Sequence, residues 1–252
     1  MMNLESIYNK NMDEHLIKTK LDNGLNIYIF PKKDYIKQYA MLSVNFGSND
    51  IEFIDVKNGR KRKTHLGIAH FLEHQLFEDK EESIFDKFAD LGVSANAYTN
   101  FDSTNYLFSS SGNFEDSLIN LIEFVQDPYF SDKNVEKEKG IIIQEIKMYQ
   151  DNPYWKSYFI LLSALYSNHP VKNDIAGTEE SVRSITAEDL YICYYNFYLP
   201  SNMDLILIGD LKPKKIIDLI RKNQAKKNFP NFKNPVKIIK EEPKNVAQKL
   251  VK

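Results

Sequence analysis

Residues 15–30 read HLIKTKLDNGLNIYIF, and their pattern decides the fold class. Two runs rich in β-branched, apolar and aromatic side chains, His15–Lys20 and Asn26–Phe30, flank Leu21-Asp-Asn-Gly24. Asn-Gly supplies the positive φ angles that a tight hairpin turn needs, so the two runs are expected to pair as antiparallel strands. Working outward, Tyr39–Phe46 (YAMLSVNF) reads as a third strand. Ser94–Tyr98 and Thr104–Ser109, separated by a short polar loop, suggest a second hairpin. Helical periodicity marks residues 64–77, 83–91, 114–126, 132–149, 154–166 and 186–197. Met203–Ile208 (MDLILI), closed by Gly209-Asp210, reads as a late strand and is followed by a helix from Pro213 to Lys222. The stretch 49–63 reads as a loop ending in the basic cluster Arg60-Lys-Arg-Lys63.

Hairpins and helices thus come in blocks rather than in strict alternation. That order predicts an α+β fold with a mixed or antiparallel sheet and helices packed on it. There is no internal repeat. Residues 1–224 are expected to form a single domain. Residues 225–252, rich in Lys, Asn and Pro, read as a linker or tail.

Composition narrows the function. The 252 residues are 42% hydrophobic and 27% charged, with a net charge of -2. A near-neutral chain has no global field to draw in nucleic acid or anionic lipid, so neither partner is expected. Four basic residues at 60–63 fit a solvated loop, or a rim that favours acidic peptides. Cys193 is the only cysteine, which rules out an internal disulfide and a cysteine-based zinc cluster. No run approaches the ~18 apolar residues of a membrane span. The first 15 residues, MMNLESIYNKNMDEH, lack the apolar core of a signal peptide, and a cytoplasmic location is expected.

Residues 70–74 read His-Phe-Leu-Glu-His. On a helix His74 lies about 40° around from His70, and Glu73 about 60° to the other side. Two imidazoles one turn apart can both reach a metal ion, and the glutamate on the same face can reach water there. Leu66, Ile68, Ala69, Phe71, Leu72, Leu76 and Phe77 make the helix apolar nearly all round, which predicts burial. Buried imidazoles and a buried carboxylate need compensation, and a metal provides it. A third protein ligand is usual. Glu138 and Glu145, seven residues apart, sit within about 20° of one another on one helix face. That face is expected to carry Val135, Ile141, Ile142 and Tyr149 as well. Ion pairs to Lys or Arg are the alternative role for these glutamates, and spacing alone does not say which of the two binds metal. His15, His65 and His169 are isolated and read as structural or exposed. The aromatic run Tyr191–Tyr198 reads as helix-to-sheet packing, with Cys193 a small core residue.

These motifs resemble the inverzincin peptidases, the family of pitrilysin, insulin-degrading enzyme and the mitochondrial processing peptidase, and most closely their short bacterial branch. Gly67-Ile-Ala-His-Phe-Leu-Glu-His74 is similar to the family's metal helix. Ser94-Ala-Asn-Ala-Tyr-Thr99 and Thr104-Asn-Tyr106 resemble its substrate strand and the strand beside it. His169-Pro170, Gly177-Thr178, Leu199-Pro-Ser-Asn202 and Gly209-Asp210 fit further landmarks, so the resemblance covers residues 15–222.

The resemblance implies a ferredoxin-like α+β peptidase half. It implies one Zn2+ per chain on His70, His74 and Glu145, with Glu138 behind the ligands. Glu73 would be the general base toward a zinc-activated water in peptide hydrolysis. Ser94, Ala95, Asn96, Ala97 and Tyr98 would bind an extended peptide as an added β-strand. Family members usually contain two homologous halves. This chain resembles the N-terminal one, so a second half is expected from the same longer chain or from a partner subunit, and a dimer is possible. The rival expectation is a non-catalytic, partner-dependent subunit; such relatives typically lose part of the metal motif, whereas His70, Glu73, His74 and Glu145 are all present.

Overall fold

The structure is a computed structural model that describes residues 4–78, 84–230 and 232–239. Its strands are β1 (Glu5–Asn9), β2 (Glu14–Lys20), β3 (Asn26–Pro31), β4 (Gln38–Val44), β5 (Glu52–Ile54), β6 (Lys61–Lys63), β7 (Ser94–Thr99), β8 (Thr104–Ser110), β9 (Met203–Gly209) and β10 (Val236–Lys237). Seven of them form one sheet in the order β1-β2-β3-β9-β4-β8-β7. Only the β3–β9 pair is parallel, so the sheet is mixed and mostly antiparallel, as the α+β reading expects.

The helices are α1 (Ile68–Leu76), α2 (Ile84–Asp90), α3 (Phe114–Gln126), α4 (Asp132–Gln150), α5 (Pro153–Leu165), α6 (Glu179–Ser184), α7 (Ala187–Phe197) and α8 (Pro213–Gln224). Residues 79–83, where the second expected helix would begin, lie outside the described residues.

Period-2 alternation builds the sheet's packed face. Ile27 and Ile29 of β3, Leu42 and Val44 of β4, and Leu205 and Leu207 of β9 are fully buried. Their sequence neighbours on the opposite face stay partly accessible. Each such Leu or Ile contributes about 1.5–3 kcal/mol when buried. Helices α3 and α8 cover this face along β8, β4 and β3, while α1 lies against β7 and β8.

The hairpin read from residues 15–30 forms as β2 and β3, with Lys20 opposite Asn26 and Gly24 at φ +94° in the turn. Five elements were not anticipated. β1 extends the sheet beyond β2. The presumed loop 49–63 contains β5 and β6, whose basic residues pair with buried carboxylates. Lys61 Nζ lies 2.7 Å from Glu52, and Arg62 Nε lies 2.9 Å from Asp55. Helix α6 follows Thr178, whose hydroxyl accepts from the Ser181 amide in a capping box.

The fifth lies within the tail, where Val236–Lys237 pairs with β5. Lys237 Nζ there donates to Asn45 (2.7 Å) and to Asp50 (2.8 Å), which is only 2% exposed. Asp50 also accepts from the Gly47 amide. The same loop holds the β7–β8 turn through Ser48 N–H to Asn100 O and Asn49 N–H to Phe101 O.

Candidate active site

Helix α1 begins at Gly67, whose φ of +81° suits glycine alone. A Cβ there would lie 2.2 Å from the Ala176 carbonyl oxygen, and one on Gly177 would lie 2.6 Å from the Leu66 carbonyl oxygen. Backbone therefore meets backbone at the start of the helix. From there Ile68 to Leu76 is buried, with His74 alone half-exposed.

Helix α4 starts at Ser131, whose hydroxyl accepts from the Asn134 amide. Its buried stripe comprises Val135, Glu138, Ile142, Ile143 and Ile146. Ile141, expected on that stripe, is 46% exposed and sits outside it. The packed face is centred slightly further round the helix than the two glutamates suggest.

The two helices bring three donors together. His70 Nε2 and His74 Nε2 are 3.3 Å apart. Glu145 Oε2 lies 3.7 Å from the first and 3.6 Å from the second. Among the described residues this is the one group of three such side chains able to hold a metal ion. Tetrahedral zinc with ligand bonds of roughly 2.0–2.1 Å requires ligand edges of about 3.3–3.4 Å. The donor set therefore fits zinc in type and number, with one edge at the tetrahedral spacing and two longer by about 0.2–0.4 Å.

Glu138, the other glutamate, does not join the triangle. Its Oε1 lies 2.8 Å from His74 Nδ1, on the far side of the ring, where a carboxylate orients a metal-binding imidazole. His70 Nδ1 has no such partner among the described residues.

Electrostatics follow burial. Burial, with the His74 charge adding to it, pushes His70 down to about 3, leaving a neutral imidazole with a free lone pair. Burial would also lower His74, but Glu138 and the neighbouring carboxylates outweigh it and raise the group. Glu145 is raised chiefly by burial. Burial raises Glu73 as well, against hydrogen bonds donated by Thr99. Glu73 Oε2 accepts from the Thr99 hydroxyl at 2.6 Å.

Ser94, Ala95, Asn96, Ala97 and Tyr98 lie on β7, the outermost strand on this side of the sheet. The Ala97 amide donates to the Asn96 side-chain oxygen at 2.9 Å. That N–H is therefore not committed to β8 and faces the open edge. Thr99 ends the same strand. Its contact with Glu73 spans 26 residues of sequence, and no local pattern announces it.

The remaining candidates have structural roles. His15 meets Ser6, His65 faces Asp189 at 3.6 Å, and the His169 ring accepts from the Val171 amide. Cys193 is buried beside Thr64, and burial pushes its thiol up to about 12, far from a reactive thiolate. Tyr194, Phe197 and Tyr198 are core residues, whereas Tyr195 is exposed.

Comparison with known proteins follows the same lines. The model for insulinase (peptidase family M16) matches residues 56–179, and that for the M16 inactive domain matches residues 184–252. The uncharacterized zinc protease YmfH of Bacillus subtilis is 49% identical over 228 residues, covering 90% of this chain and 53% of that protein. The probable zinc protease PqqL of Escherichia coli is 28% identical over 229 residues, covering 85% of this chain and 23% of that one.

Among solved structures, an M16-like peptidase from Alicyclobacillus acidocaldarius aligns with a TM-score of 0.86 at 42% identity, covering 96% of this chain and 55% of that chain. The periplasmic protease PqqL from Escherichia coli aligns with a TM-score of 0.74 at 26% identity, covering 89% and 25%. The chain thus spans about half the length of YmfH and of the Alicyclobacillus peptidase. No helix among the described residues is long and apolar enough to cross a membrane. With the family models, the relatives and the fold in agreement, the chain belongs to the insulinase-like M16 peptidase family.

Proposed function

We propose that this chain is the zinc-bearing half of a metalloendopeptidase that hydrolyses peptides or small unfolded polypeptides. The observation that carries the reading is the convergence of His70 Nε2, His74 Nε2 and Glu145 Oε2 from two helices. Zinc held there would acidify a water molecule and polarise the scissile carbonyl. Glu138 orients His74 from behind. Glu73 takes the proton of the attacking water and delivers it to the leaving amine, and its burial favours that exchange by weakening its hold on the ionised form. The open edge of β7 receives the peptide as an added strand, with the Ala97 amide as one donor.

A second homologous half, in the same longer chain or in a partner subunit, completes the enclosure; the share of the relatives that this chain spans supports it. Dimerisation is the subunit version of that arrangement. The cytoplasm remains the expected compartment, although one solved relative is periplasmic, and fractionation of the native host decides between them. The match of residues 184–252 to the family's inactive-domain model favours one further reading, a partner-dependent unit that binds zinc yet cleaves nothing alone.

The test combines metal analysis with peptide cleavage. About one zinc per chain is expected, lost in His70→Ala and Glu145→Gln. Glu73→Gln should keep zinc and lose cleavage. A wild-type protein that takes up no zinc, or a Glu73→Gln protein that still cleaves, overturns the reading.

A further inference from the structure

Thr99 belongs both to the β7 edge and to the surroundings of Glu73. Its hydroxyl donates to Glu73 Oε2 at 2.6 Å, and its backbone N–H favours the ionised form of the same carboxyl. The next hydroxyl within reach is Thr104 Oγ1, at 3.5 Å. That group gives its single proton to the Phe46 carbonyl at 2.8 Å, so it has none for Thr99, and Thr99 in turn commits its proton to Glu73. Thr104 is itself fully buried, close to Tyr198, which pairs with Tyr106 at 2.8 Å. The threonine therefore rests on a packed wall. As a β-branched residue it has few rotamers in which to turn away.

Chain direction adds the second half of the case. The Ala97 amide faces the open edge of β7. Thr99 is two residues on, so its amide also points away from β8. The far side of the contact is fixed too, because the start of α1 is locked backbone to backbone against Ala176 and Gly177. A shift of β7 relative to α1 would therefore be felt at the Thr99–Glu73 contact.

We propose that Thr99 is the positioning residue for Glu73, so that the strand that receives the peptide is also the strand that aims the base. The proposal rests on the peptidase reading above. With Oε2 held by the threonine, Oε1 is the carboxylate oxygen left for the water. Pairing of a peptide along β7 then firms the orientation of the base in the same event that aligns the scissile bond.

The test uses Thr99→Val, which removes the hydroxyl at nearly constant volume, Thr99→Ser, which keeps it, and Thr99→Ala as a smaller replacement. In the full-length zinc-loaded protein, Thr99→Val and Thr99→Ala should lower kcat by about 10- to 100-fold, the range set by one hydrogen bond to a charged group. KM and zinc content should stay within about twofold, and Thr99→Ser should recover most of kcat. Independently of activity, a high-resolution structure of the metal-free Thr99→Val chain should show the Glu73 carboxylate rotated or split between orientations.

Unchanged kcat in Thr99→Val overturns the proposal. So does failure of Thr99→Ser to restore kcat, a loss of zinc that tracks the loss of rate, or a Glu73 carboxylate that keeps its place without the hydroxyl. If the wild-type protein cleaves no peptide, the peptidase reading fails while the structural arm still decides the positioning role.

Discussion

The sheet has two open edges, and they are not alike. β1 forms one of them, and all five of its residues are exposed, including Ile7 and Tyr8. β7 forms the other, where small side chains (Ser94, Ala95, Ala97) alternate between exposed and half-buried positions and Thr99 reaches the buried Glu73. Neither edge has a further strand beside it. What separates them is the neighbouring structure: helix α1 lies against β7, and the turn after β7 is held by the 47–50 loop. An open edge becomes a candidate reaction surface when a reactive group and a rigid support lie beside it.

The largest expected effect removes what only the β7 edge has. Glu73→Gln should lower kcat by about 10³-fold or more with zinc retained, read by peptide cleavage and metal analysis. Next, Ala97→Pro deletes an edge-facing amide without taking a donor from the ladder, a position where proline is tolerated. KM should rise by roughly 10- to 100-fold with kcat little changed, as for one lost hydrogen bond in substrate binding. If KM does not move, peptides do not pair along this edge.

A smaller effect tests the support. Lys237→Ala leaves Asp50 buried without its cation and should cost about 1–2 kcal/mol in urea unfolding, below the range for fully buried pairs because Lys237 is partly exposed. The smallest belongs to the other edge. Ile7→Lys on β1 should change stability by no more than about 0.5 kcal/mol and leave KM unchanged. A large kinetic effect there would make the two edges functionally equivalent and end the contrast.

Legibility in the sequence followed the range of the forces involved. The β2–β3 hairpin was readable because Asn23-Gly24 specifies its turn locally. Helix α1 was readable because nearly every position is apolar around its two histidines. β1 was not, because a strand exposed on both faces carries no alternation to detect. β6 hid behind Lys61-Arg-Lys63, where Lys61 and Arg62 are matched by Glu52 and Asp55, nine and seven residues earlier. At the candidate site, spacing put Glu138 and Glu145 on one face but left their roles open. Their separation, one toward both Nε2 atoms and the other behind His74, depends on how α4 crosses α1. The Thr99 contact was invisible for the same reason.

The loop from Asn173 to Thr178 carries none of the three donors, yet it ties together the parts that do. Gly177 is pressed against the start of α1. Asp174 accepts from the Trp155 indole at 2.6 Å, and that ring stacks on Tyr149, one turn beyond Glu145. Surface loops ordinarily absorb inserted or deleted residues without harm. This one should not, since one residue more or less would change the separation of the imidazole helix from the carboxylate helix. In a library of single-residue insertions it should stand out as the intolerant loop.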